Sequence, residues 1–193
     1  GTFPRICFNF AGDRLKVLDL KNWGSISYTT MAGAWSGCAN MIGSYKDSPN
    51  LSGVTNLSNM FFGCTNFNGH ADFNTSTIKR MDAMFSVCPA FNKPVNFNTS
   101  LVYDMGAMFN GCTSFKQDIN FDFSKVTSPM TNFLRYANIN DAGTTTRYDA
   151  LLVRLASQTL SPEINFHGGD SRYSAEVGLP ARNILTNAPN LWI

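Results

Sequence analysis

Charge is scarce in this chain. Asp, Glu, Lys and Arg make up 15% of its 193 residues, against roughly a quarter in an ordinary globular domain. The balance is only +2 at pH 7, and the 15 basic residues are scattered along the chain. Without a basic stripe there is no phosphate-tracking face, which argues against nucleic-acid binding. Glutamate occurs only at Glu163 and Glu176, a poor supply for long solvated helices. No apolar run approaches the roughly 20 residues that a membrane-crossing helix needs. The two histidines, His70 and His167, lie far apart, and no Cys-x-x-Cys pair is present. No metal and no cofactor is therefore expected. Gly1 in place of an initiator Met fits a removed leader or a longer precursor.

Uncharged polar groups take the place of charge. The chain carries 21 Asn with many Ser and Thr, together with 16 Phe and an ordinary 44% of hydrophobic residues. This length suits one domain or two small ones and is sufficient for a buried core.

The five cysteines do not read as a disulfide framework. Cys38, Cys64, Cys88 and Cys112 are spaced by 26, 24 and 24 residues, and Ala137 follows 25 later. Each ends the same phrase: residues 31–38 read MAGAWSGC, 57–64 LSNMFFGC, 81–88 MDAMFSVC, 105–112 MGAMFNGC, and 130–137 MTNFLRYA. Three residues past each Cys stands Met41, Phe67, Phe91 or Phe115. In the three central copies Phe73, Phe97 and Phe121 follow six later, then Ile78, Val102 and Val126 five later. A fixed period in this range marks stacked repeats that cannot bury their apolar faces alone. The expected fold class is mainly β: a leucine-rich-repeat-like right-handed solenoid of about five coils with a small helical C-terminal cap. Strand spacing would put equivalent residues roughly 4.8 Å apart. Cys38, Cys64, Cys88, Cys112, Phe67, Phe91 and Phe115 then form structural ladders. Stacked Cβ vectors run parallel, which suits an S–S torsion poorly, so these thiols are expected reduced and buried. Cys7, outside the register, is expected in the core of the first cap.

Residues 1–23 are assigned to an N-terminal cap and first strand, 24–140 to the repeats, and 141–193 to a C-terminal α/β cap. Leu15–Trp23 reads as the first strand, preceded by a cap strand over Phe3–Phe10 with a turn at Gly12-Asp13. A helix is expected over about 146–158, with Thr146 and Asp149 approximating a capping box and Tyr148, Leu151, Leu152 and Leu155 at helical spacing. It would lie over the open last coil. Ile164–Phe166 could add one strand, Gly168-Gly169 a turn, and Pro180 the start of a short helix to about Thr186.

The phrases, above all residues 54–68 (VTNLSNMFFGCTNFN), resemble the BspA-like bacterial surface leucine-rich repeat family. Their mycoplasma-type surface-lipoprotein branch is the nearer likeness, over roughly residues 15–140. The likeness is strongest in the three central copies. Trp35 replaces Phe in the first, and Pro129 adds a residue before Met130 in the last. The resemblance implies a non-enzymatic surface protein of bacteria or of phage virions, engaged in adhesion and protein contact, with no catalytic residues to carry over. A short likeness of 166–174 and of Ala181, Arg182 and Leu185 to segments following such repeats in phage-type proteins points towards a virion or prophage setting.

Candidate contacts come from side-chain parity. If the segment after Phe67, Phe91 and Phe115 alternates, Asp72, Asn96 and Asn120 form one outward row and His70, Pro94 and Asp118 its neighbour. His70, Asp72, Asn96, Asp118 and Asn120 are therefore the expected ligand-binding residues. Their partner would be a protein or glycan on a host surface. An alternative is a structural virion component, in decoration or tail, packing against other subunits, for which the apolar end Leu191-Trp192-Ile193 is a candidate contact. A glycan hydrolase is a remote third reading: Asp72 and Asp118 would lie roughly 10 Å apart by strand spacing, near the upper limit for an inverting pair. A solvated face explains them more simply. Tyr103, Tyr45 and Tyr28 could add aromatic contacts, although Tyr28 suits the inward row. The sequons at Asn50, Asn56, Asn74 and Asn98 read as turn chemistry.

Overall fold

The computed structural model describes residues 5–187. The repeats stack coil on coil, but the coils are not built from strands. Among the described residues the only β pairing is four isolated parallel bridges, Ser27 with Asn50, Asn56 with Arg80, Arg80 with Asp104, and Met130 with Phe166. The expected mainly β class is overturned, and the chain is rich in turns and loops.

Backbone dihedrals give the reason. Within the phrases, Gly33, Asn59, Ala83, Ala107 and Asn132 all have positive φ, and so do Gly37, Gly63, Val87, Gly111 and Tyr136 four residues later. A left-handed residue every fourth position interrupts any strand and closes a tight turn instead. Amides then alternate between two tasks. Those of Met60, Phe62 and Cys64 close turns onto Leu57, Asn59 and Phe61 at 3.0–3.2 Å. Those of Leu57, Asn59, Phe61 and Gly63 run along the stack to the carbonyls of Arg80, Asp82, Met84 and Ser86 at 2.8–2.9 Å. These amides are thereby satisfied without a sheet.

The interior is built of aromatic columns. Phe61, Phe85 and Phe109 stack at 5.5 and 5.9 Å between centroids, with planes within 9°. Phe67, Phe91 and Phe115 follow at 6.0 and 5.8 Å, and Phe73, Phe97 and Phe121 at 6.3 and 6.0 Å. These exceed the expected 4.8 Å because the rings are offset, the arrangement their quadrupoles prefer. Trp23 meets Tyr45 edge-on and closes the columns at one end. Phe133, at 84° to Phe109, closes them at the other.

The repeat cysteines are buried and unpaired by disulfides. The thiols of Cys64, Cys88 and Cys112 donate to the carbonyls of Trp35, Phe61 and Phe85 in the preceding coil at 2.9–3.0 Å. Burial pushes all four thiols up, Cys38 to about 11 and Cys112 to about 12. Cys7 is a correction: it is exposed rather than in the core, and its sulfur accepts from Arg5.

The ends depart from expectation in detail. Leu15–Trp23 is not a strand but a single 3-10 turn, Arg14–Lys16, followed by irregular chain. It still stacks, since Leu18 and Leu20 accept from Ile42 and Tyr45. The cap strand is likewise absent over residues 5–10, where Phe8, Asn9 and Phe10 donate to Ala34, Gly33 and Ser36. Phe3 falls outside the described residues, as does Leu191-Trp192-Ile193. Helix α1, Thr146–Ala156, buries Tyr148, Leu151, Leu152 and Leu155 as its spacing anticipated. The capping box does not form. Asp149 is buried and accepts instead from the Thr145 hydroxyl and the Ser174 amide, both at 2.8 Å. Beyond α1, Gln158 accepts from the Phe123 amide and donates to the Phe121 carbonyl, at 2.7 and 3.1 Å. Helix α2, Gly178–Thr186, packs on α1 through Ala181 and Leu185. Ile164–Phe166 supplies one bridge rather than a strand. The chain after it continues the stack: Leu134 donates to His167 and Asp170 to Ala137. Gly169, at φ +70°, turns there because a side chain would collide with the carbonyls of Leu134 and Ala137. Neither helix is long and apolar enough to cross a membrane.

Candidate functional site

Parity holds between the columns. Asp72, Asn96 and Asn120 are exposed, flanked by buried Ala71, Val95 and Ile119 on one side and buried Phe73, Phe97 and Phe121 on the other. The neighbouring row is less uniform. Pro94 and Asp118 are exposed, whereas the His70 side chain is 31% exposed. The His70 ring lies 4.7 Å from that of Tyr45, whose hydroxyl donates to the His70 carbonyl. Its Nδ1 has no hydrogen-bond partner and sits 3.9 Å from the Asp72 carboxylate. Tyr45 is 1% exposed and cannot offer an aromatic surface to a ligand, which corrects one expectation. Tyr28 is buried as its row required, and Tyr103 is exposed.

Polar side chains beside the strip hold the coils in register. The Asn68 side chain accepts from the Asn92 amide, and that of Asn92 from the Lys116 amide, at 3.0 and 2.9 Å. The four sequon asparagines, Asn50, Asn56, Asn74 and Asn98, each accept from the amide two residues on, at 2.8–3.2 Å. These are Asx turns. Asp122 does the same for Ser124, and those bonds hold its carboxyl below the usual range.

The strip ends against α1, a junction that the sequence reading missed. Arg147 points its Nε at Asp118, 3.4 Å away, and its Nη1 at Asp141, 2.6 Å away. Asp118, Ile119 and Asn120 from the coil, with Thr146, Arg147, Ala150 and Leu151 from the helix, enclose a cleft of about 190 Å³. A larger polar hollow of about 390 Å³ lies against Asn138, Asn140, Asp141, Thr145, Asp170 and Arg172. Asn140 there is committed to structure, bonding the Arg172 carbonyl and the Tyr148 amide. One signal could have exposed Arg147. A cation in the first turn of a helix opposes the helix dipole, so a fixed anion nearby was to be expected.

Arg80 bridges Asp82 and Asp104 at 3.0 and 3.2 Å, and the Ser58 hydroxyl donates to Asp82. Burial, with Asp82 beside it, holds the Asp104 carboxyl above its usual range despite Arg80. The guanidinium fills the space between the carboxylates and ties three coils together. The His167 Nδ1 accepts from the Gly169 amide at 3.0 Å, a turn contact.

No curated protein and no solved structure matches the chain. The model of a family described as "Mycoplasma protein of unknown function, DUF285" matches residues 29–146. That span takes in all five phrases, runs to the first residue of α1 and exceeds half of the sequence, so the chain belongs to this family.

Proposed function

We propose that the chain is a non-enzymatic recognition module of a bacterial surface or a phage virion, binding a protein or glycan through one face of its coil stack. The observation that carries this reading is the outward strip of Asp72, Asn96, Asp118 and Asn120, with half-buried His70 at its edge, repeated coil after coil over an aromatic interior. Rigid, regularly spaced polar groups bind extended ligands with little ordering cost. The likeness of the phrases to the mycoplasma-type branch of the BspA-like surface repeats supports the same setting. Binding of the chain to intact host cells and to an immobilised glycan panel tests it. Asn96→Ala should weaken binding while the melting midpoint stays unchanged, and Asp118→Ala should weaken binding with at most the small loss of stability that an exposed ion pair carries. Full binding by both variants removes the strip from consideration.

A virion component packing against other subunits has one observation in its favour. Leu18 and Ile42, joined by a backbone hydrogen bond, are 65% and 50% exposed at the first coil. Light scattering separates the readings: a monomer supports the recognition module, and a closed oligomer supports the assembly component.

A further inference from the structure

Arg147 is placed at a cost to its own helix. It occupies the first turn of α1, where the dipole disfavours a cation. Asp118 from the strip and Asp141 from the loop before α1 hold it there. The result is an ordered group of donors and acceptors at the wall where the strip stops. Of the charged groups, only the Asp118 carboxylate and the Arg147 guanidinium line the cleft, and their charges cancel. The cleft therefore offers an acidic ligand no net attraction. The volume, about 190 Å³, falls below the roughly 300 Å³ at which drug-sized pockets begin, and suits a single small ring. The lining combines a carboxylate, an amide, a hydroxyl and a guanidinium over Ile119 and Leu151, which are almost wholly buried beneath it. An Asp118 acceptor 3.4 Å from an Arg147 donor matches neighbouring hydroxyls of a sugar, each able to donate and accept. Peptide modes fit less well. Strand addition needs an open edge, helix docking an apolar groove, and polyproline an aromatic one. None of these lines the cleft.

We propose that the cleft between α1 and residues 118–120 is the terminal subsite for a neutral sugar unit of a glycan lying along the strip. This rests on the recognition reading above. Asp118, Asn120, Thr146 and Arg147 bond the hydroxyls, and the cleft wall at Ala150 sets the size of the ring.

The 193-residue chain is applied to an array of neutral oligosaccharides (galactose-, glucose- and N-acetylhexosamine-terminated) beside sialylated and uronate-bearing ones, and to intact host cells. Neutral glycans should be retained in preference to acidic ones. Ala150→Phe, which fills the cleft from an exposed position, should weaken their binding by about tenfold or more, as loss of charge-assisted hydrogen bonds does. Its melting midpoint should not move, because exposed substitutions rarely change stability. Asp118→Asn and Arg147→Ala should weaken neutral-glycan binding as well. Preference for acidic glycans, absence of any neutral-glycan binding, or unchanged binding by Ala150→Phe overturns the subsite. If Asn96→Ala loses cell binding while Ala150→Phe keeps it, the recognition reading stands and the subsite alone falls. If neither variant loses cell binding, both fall.

Discussion

The central coils and the C-terminal end solve the same problem with different means. In residues 57–126 each coil finds a near-copy of itself on either side, so rings stack on rings while thiols and amides meet the carbonyls of the adjoining coil. Between residues 138 and 187 no further copy of the phrase occurs. The chain closes the stack with α1, with the Arg154 and Gln158 side chains bonded to the Phe121 carbonyl, and with a short continuation around Gly169. Periodicity is what stabilises the first region. Its interruption is what builds a concave, mixed-polarity site in the second, because only there do side chains from a helix and a coil converge.

The largest expected effect tests that contrast directly. Phe91→Ala removes a ring stacked on both neighbours and on Phe85 at 4.1 Å. It should cost about 3–5 kcal/mol. Phe166→Ala, at a partly buried position of the end, should cost distinctly less in urea unfolding. Equal losses would mean that the cap carries as much stability as the columns.

An intermediate effect comes from the thiols. Their folded pKa values are raised, Cys112 to about 12, while an unfolded thiol titrates near about 8.5. Below that pH both states are protonated and the full stability is present. As pH rises, the unfolded chain loses protons first and stability falls until the folded thiols ionise too, by at most about 1.4 kcal/mol per pH unit for each buried thiol. Unfolding free energy measured between pH 8 and 11 should decline in wild type. The decline should lessen in Cys88→Ala and Cys112→Ala. A slope that those variants leave untouched would reassign it to other groups.

The smallest effect sharpens the comparison within the central coils. Val87 occupies the left-handed position that Gly37, Gly63 and Gly111 hold in their coils, at φ +58°. A β-branched residue there is strained by about 1–3 kcal/mol, and Val87 is 42% exposed, so little burial is lost with it. Glycine's larger unfolded-state entropy offsets part of the relief. Val87→Gly should raise unfolding free energy by about 1 kcal/mol, seen as a higher melting midpoint. A lower midpoint would show that the Val87 side chain packs more than it strains.

The strip was legible because alternation between Phe67 and Phe73 and their copies fixes which side chains face outward, whatever the pairing. The coil class was not. The left-handed turns were signalled by Gly33, Gly37, Gly63 and Gly111, but Asn59, Ala83, Ala107, Asn132, Val87 and Tyr136 adopt the same conformation without a glycine to mark it. At Asn59, Ala83, Val87 and Ala107 the neighbouring coil supplies the carbonyl to which the amide donates. Leu15–Trp23 read as a strand because its apolar residues roughly alternate, yet its hydrogen bonds run to coil one through Leu18 and Leu20 and leave the rest irregular. The Asp149 contact with Ser174 and the Arg147 pairing with Asp118 joined residues too distant in sequence for any local pattern to connect.

By itself, then, the amino-acid sequence determined the period, the identity of the buried columns and the parity of the outward strip, because all three are consequences of local spacing. Tertiary structure alone decided that turns rather than strands form the coils and that Arg147 closes the strip into a cleft. Hydrogen bonds along the stack and the seating of α1 against the fourth coil depend on residues brought together only by folding.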